Sequence, residues 1–182
     1  MKVMAMVGSL RQASYNKLAL RAAQELKPAD MEIENSDLGG LPLYNDDIRQ
    51  EGYPPVVLDL CAHIQTADAL LFVTPEYNYS LPGVLKNAID WASRHPQQPL
   101  DGKPAAIMGA STGRLGTARA QYHLRQIGVF VNLHFINRPE VMIAGAAKAF
   151  DASGRLTDEG ARKLIAELLA NLRDWTLKLK AK

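Results

Sequence analysis

Short apolar runs alternate along the chain with longer segments in which apolar residues recur every three to four positions, and no segment repeats. The runs at residues 2–7, 31–37, 69–74, 104–110 and 130–136 predict strands. Their β-branched and apolar content suits strands covered on both faces in a parallel sheet. Helical spacing occupies residues 16–26, 55–67, 82–95, 115–127 and 157–178. Pro55 and Pro82 suit first-turn positions, and Gly128 suits a C-terminal cap. Thr157-Asp158-Glu159-Gly160 opens the last helix with negative charge at its positive end. Strand–helix alternation of this kind predicts an α/β fold, a doubly wound five-stranded parallel sheet with helices on both faces. The shorter common strand order for such sheets is 2-1-3-4-5.

That order predicts the site before any chemistry is considered. Ligands bind outside the carboxyl ends of the strands where the winding reverses, here between the first and third strands. The loops meeting there span residues 8–16 and 74–82. In the first, the hydroxyls of Ser9 and Ser14, the Asn16 amide, the Arg11 guanidinium and the N–H groups opening a helix can all donate to one phosphate dianion. Ser14 or Asn16 also suits a plain helix cap. The second loop, Thr74-Pro75-Glu76-Tyr77-Asn78-Tyr79-Ser80-Leu81-Pro82-Gly83, is stiffened by two prolines and offers flat tyrosine surface beside hydrogen-bonding groups. A planar heteroaromatic ring fits that surface; packing of the tyrosines on a neighbouring subunit is the alternative. A third loop, from Gly109 through Ser111-Thr112-Gly113 to Gly116, borders the same crevice.

Composition narrows the partners. At 182 residues the chain fits one domain, spanning residues 1–182, and a domain of this size buries roughly 70% of the surface its unfolded chain exposes. Lys and Arg number 21 against 19 acidic residues, so the near-neutral charge gives no footprint for nucleic acid. The basic tail of Lys178, Lys180 and Lys182 reads as solvated. One cysteine, Cys61, on the apolar side of a predicted helix, cannot form an internal disulfide and suits core filler in a reduced, cytoplasmic protein. The opening apolar run is too short for a signal segment, and nothing approaches the length of a membrane span. The four histidines share no ligand spacing, so no metal site is expected. The longest irregular stretch, residues 38–54, suits an Ω-loop or a functional loop.

Two motifs together carry a family resemblance. Gly-Ser-x-Arg-x-x-Ser-x-Asn after the first strand, and the segment from Thr74 to Trp91, resemble the NAD(P)H-dependent FMN reductases, in particular their chromate, quinone and azoreductase branch. The resemblance extends through Ser111-Thr112-Gly113, Gln121-Tyr122-His123-Leu124-Arg125-Gln126 and Asn137-Arg138-Pro139-Glu140. It implies a flavodoxin-like fold holding non-covalent FMN, with NAD(P)H as electron donor. Carried over by position, Ser9, Arg11, Ser14, Tyr15 and Asn16 hold the phosphate. Glu76, Tyr77, Asn78 and Tyr79 embrace the isoalloxazine, partly through the main chain, and Ser111 bounds the ring. The chemistry then belongs to the cofactor, and no side chain is assigned as acid, base or nucleophile. The implied activity passes hydride through FMN to quinones, azo compounds or metal oxyanions such as chromate, by a ping-pong scheme. The family also implies a homodimer or homotetramer. Trp91, Tyr122 and Leu124 supply more apolar surface on two helices than an inner stripe needs, and Arg119, Tyr122 and Glu140 are candidate interface residues.

Other readings fit less well. A flavodoxin-type electron carrier shares the fold and FMN, but such carriers are strongly acidic and lack an arginine in the phosphate loop. A dinucleotide dehydrogenase using Gly109, Gly113 and Gly116 has the wrong glycine spacing and follows the fourth strand instead of opening the domain. A non-catalytic domain that kept only the fold leaves both polar loops without a role.

Overall fold

The computed structural model describes residues 1–181. Its sheet runs β2-β1-β3-β4-β5, the order expected from the alternation of elements, and all strand pairs are parallel. The strands are β1 (Lys2–Val7), β2 (Glu32–Ser36), β3 (Ala69–Val73), β4 (Pro104–Ala110), β5 (His134–Phe135) and β6 (Val141–Ile143). The helices are α1 (Tyr15–Leu26), α2 (Asp46–Glu51), α3 (Pro55–Thr66), α4 (Gly83–Arg94), α5 (Ala118–Phe130), α6 (Ala146–Ala149) and α7 (Glu159–Lys180).

Past Lys2, strands β1, β3 and β4 are buried throughout because successive side chains enter two separate cores, whereas the edge strand β2 buries only Ile33. Val3, Ala5 and Val7 of β1 join Leu71 and Val73 of β3 and Ala106, Met108 and Ala110 of β4 under α1 and α7. Met4 and Met6, Leu70 and Phe72, and Ala105 and Ile107 face the opposite layer of α3, α4 and α5. A strand covered on both faces has no solvent side on which polar residues are favoured.

The fifth strand differs from expectation. Residues 130–136 do not form one strand: α5 continues through Phe130, only His134–Phe135 pairs with the first half of β4, and the chain leaves the edge and returns as β6 beside the second half. Val129-Phe130-Val131 has strand propensity, but Val129 and Phe130 stay in the helix with about 80% of their surface exposed. Gly128 is therefore not a cap. It lies inside α5, where an added Cβ would come within 2.2 Å of the Phe135 ring, so its bare Cα lets β5 close on the helix.

The stretch between β2 and α3 carries the short helix α2 and packs Leu38, Leu41, Tyr44, Ile48 and Tyr53 on the second core. Trp91 anchors it. Its Nε1 donates to Pro42 O at 2.8 Å, and the Tyr44 ring meets it edge-on. Trp91 and Leu124 are fully buried, so they form core rather than interface; Tyr122 does face outward. At the other end of the chain Asp158 caps α7, accepting from Ala161 N at 3.0 Å. The tail is not simply solvated, because Lys180 pairs with Asp68 and the Lys178 ammonium lies over the Trp175 ring, while Lys182 falls outside the described residues. Among the described residues no helix is long and apolar enough to cross a membrane.

Candidate functional site

The carboxyl ends of β1 and β3 bring the two polar loops together. Gly8 N donates to Val73 O at 2.9 Å, which holds the first loop against the end of β3. An added Cβ at Gly8 would lie 2.6 Å from Pro82 Cγ and 3.2 Å from Pro75 Cδ. The glycine thus lets both prolines of the second loop close on the base of the first. Tyr77 reaches over from the second loop, its hydroxyl 3.5 Å from Ser9 Oγ.

The phosphate-type loop is laid out for an anion. Among the described residues, the N–H groups of residues 9–15 have no protein acceptor, and they lead into the twelve-residue helix α1, whose positive end adds to them. Ser14 caps that helix, its Oγ accepting from Asn16 N at 3.2 Å, so its hydroxyl proton remains available to a ligand. Ser9 is buried at the loop's base. The Arg11 guanidinium lies 5.7 Å from the centre of the Tyr15 ring, and that ring stacks on Phe150.

Asn16 is placed differently from a phosphate donor. Its side chain is buried and paired with β4: Nδ2 donates to Ala110 O and Oδ1 accepts from Ala110 N, both at 2.9 Å.

The second loop turns at Tyr77–Ser80, whose N–H and C=O groups pair reciprocally at 3.0 Å. Asn78 and Tyr79 take left-handed conformations, with φ of 49° and 70°. The tyrosine rings of Tyr77 and Tyr79 are exposed, and the N–H groups of Glu76, Asn78 and Tyr79 have no acceptor among the described residues. The Glu76 side chain points away from this turn into the start of α5, where it accepts from Arg119 Nε at 2.6 Å. Ser111 closes the third side, its Oγ accepting from Gly113 N at 3.1 Å. His123 Nδ1 lies 3.0 Å from Ser80 Oγ, a contact that no local motif announces.

A flat, hydrogen-bonding turn beside an anion-binding helix start is the donor set that a phosphorylated heteroaromatic cofactor requires, and these residues fit FMN. A family model described as NADPH-dependent FMN reductase matches residues 1–148. The chain belongs to the NADPH-dependent FMN reductase family. An NAD(P)H-dependent FMN reductase of Pseudomonas aeruginosa is 59% identical over 179 residues, covering 98% of this chain and 97% of the relative. A quinone reductase of Escherichia coli is 45% identical over 163 residues, 88% of this chain and 87% of its own. Among solved structures, the flavoenzyme NAD(P)H:(acceptor) oxidoreductase of Paracoccus denitrificans superposes with a TM-score of 0.89 at 40% identity, over 97% of each chain. This FMN reductase family member therefore keeps both polar loops on the doubly wound sheet.

What sequence reasoning missed was mostly pairing between distant segments: Asn16 with Ala110, Gly8 with Pro75 and Pro82, and Glu76 with α5. One signal for the last was present. The first turn of α5 contains Arg119 and no acid, the wrong charge for a helix's positive end, which calls for a carboxylate from elsewhere.

Proposed function

We propose that this chain is an oxidoreductase that uses non-covalent FMN to carry reducing equivalents from NAD(P)H to quinones, azo compounds or metal oxyanions such as chromate. Family membership and the unpaired N–H groups of residues 9–15 at the start of α1 support the reading together. When bound, the flavin supplies the two-electron chemistry. The protein's task is to bind and orient.

Ser9, Arg11, Ser14 and the N–H groups of residues 9–15 hold the phosphate, with Tyr15 shaping the wall beside Arg11. Tyr77 and Tyr79 give flat surface for the ring, and the N–H groups of Glu76, Asn78 and Tyr79 are positioned to donate to polar ring edges. Ser111 borders the crevice from the β4 side. Of the residues expected there, Glu76 contributes its main chain and Asn16 contributes the shape of the loop, because both side chains are engaged elsewhere. A bare electron carrier is disfavoured by the near-neutral charge and by Arg11.

The same reading extends to assembly and compartment. A homodimer or homotetramer built on the outer face of α5 covers Tyr122, Val129 and Phe130, which are exposed in the single chain. The Glu140 carboxylate beside Tyr122 pushes its phenol up. A single buried thiol suits the reducing cytoplasm.

The deciding experiment is the visible spectrum of the purified protein under argon. Flavin bands that bleach on adding NADPH or NADH and return on adding a quinone support the proposal. Colourless protein that takes up no FMN overturns it.

A further inference from the structure

Helix α5 begins without a cap of its own. Thr117 makes no side-chain bond to the first turn; its Oγ1 accepts instead from Gln121 Nε2 at 2.9 Å. The open N–H groups are taken up from the other side of the crevice. Glu76 Oε2 accepts from Arg119 N at 2.9 Å and from Ala120 N at 3.2 Å, while Oε1 accepts from Arg119 Nε at 2.6 Å. With its side chain 7% exposed and both oxygens engaged, this carboxylate is a buried helix cap supplied by a loop.

Arg119 continues the connection. Its guanidinium carbon lies 3.6 Å from the centre of the Tyr79 ring, a cation–π stack directly over a residue held at φ of 70°. Neither Asn78 nor Tyr79 is a glycine, so the left-handed turn is disfavoured locally and needs contacts from outside to persist. Glu76 at one end, and the stack on Tyr79 with the His123–Ser80 contact at the other, tie the turn to α5. Below them, Gly109 lets Thr74 O and Thr117 Oγ1 approach so closely that an added Cβ would lie within 2.3 Å of both.

We propose that Glu76 is a positioning residue: by capping α5 and fixing Arg119 over Tyr79, its carboxylate holds the 76–80 turn in the form that offers its N–H groups and tyrosine rings to the crevice. The inference rests on reading that turn as the support for the flavin ring. It removes the Glu76 side chain from the cofactor's own contacts and makes α5 part of the binding site's framework.

The test uses full-length protein stripped of flavin, with amide hydrogen exchange read by NMR and FMN affinity read by quenching of flavin fluorescence. In Glu76→Ala the latch predicts at least tenfold faster exchange at Arg119 N and Ala120 N in the apoprotein, together with at least tenfold weaker FMN binding. Glu76→Gln, whose carbonyl still accepts from an N–H, falls between wild type and Glu76→Ala. Arg119→Ala loosens the Tyr77–Ser80 turn, still held through His123 and Ser80, so Ser80 N exchanges faster while Ala120 N stays protected. Should Glu76→Ala fail to fold, the Glu76→Gln and Arg119→Ala measurements decide. Unchanged apoprotein exchange with lost FMN binding overturns the latch in favour of a direct contact, and unchanged values of both overturn it outright. A wild-type protein that binds no FMN removes the flavin reading instead, and the latch is then judged on apoprotein exchange alone.

Discussion

Asn16, at the start of α1, completes the sheet at Ala110, the last residue of β4: its amide makes two hydrogen bonds of 2.9 Å to the backbone N–H and C=O there. β3 ends at Val73, and its pairing with β4 stops at Met108, so no strand remains to satisfy Ala110 on that side. A side-chain amide presents an N–H donor and a C=O acceptor side by side, as the facing edge of a strand does, and takes the missing strand's place. The phosphate-type loop is thereby tied to β4 past the end of β3.

Asn16→Ala leaves a buried N–H and a buried C=O unpaired, each worth about 1 to 3 kcal/mol. The expected loss is therefore about 2 to 6 kcal/mol of apoprotein stability, a large share of the roughly 5 to 15 kcal/mol that holds a domain together. Urea unfolding of the flavin-free protein measures it. A residue that acted only on phosphate would leave that midpoint where it was.

Arg11 is exposed, makes no ion pair among the described residues and meets only the Tyr15 ring at 5.7 Å, so a bound anion is the main partner that its removal would cost. Arg11→Ala is expected to weaken FMN binding by about 1.5 to 3 kcal/mol, the range for hydrogen bonds to charged groups, without shifting apoprotein stability. Riboflavin lacks the phosphate, and its affinity should be the same in both proteins. Parallel titrations of the two flavins give the comparison.

Gly109→Ala separates two opposed effects. Alanine in a strand interior is ordinarily the more stable choice by roughly 0.5 to 1 kcal/mol. Here the new Cβ meets Thr74 O at 2.2 Å, a backbone atom that moves only if the whole ring loop moves. The expected sign is therefore reversed, with about 1 to 3 kcal/mol of destabilisation from overpacking and weakened FMN binding. A raised urea midpoint would show that the loop yields more easily than its contacts indicate.

Cys61 sits in the core between α3 and the sheet, and burial pushes its thiol up from an ordinary value near 9 to about 11. The unfolded chain ionises first as pH rises. The stability carried by the neutral thiol is complete below about pH 9 and is lost as pH climbs towards 11. The native protein should react negligibly with a thiol reagent at pH 8, and the reaction should appear only on unfolding. Ready labelling of folded protein at that pH would show that the site opens.

Apolar runs and helical spacing were enough, without tertiary information, to name the first four strand positions, the strand order and the pair of loops at the winding reversal. Those features follow from local periodicity and from the few ways a crossover can pack. Ser9, Arg11 and Ser14 could be proposed as phosphate donors for the same reason, since a loop of that kind carries its donors within one short segment. The fifth strand was not legible. Its division into β5 and β6 depends on Gly128 admitting Phe135, a contact between elements that propensity does not encode. Asn16 and Glu76 were found as residues but not as roles. A buried amide or carboxylate goes to whichever unpaired backbone group lies within reach, and only the folded chain brings Ala110 to one and the start of α5 to the other.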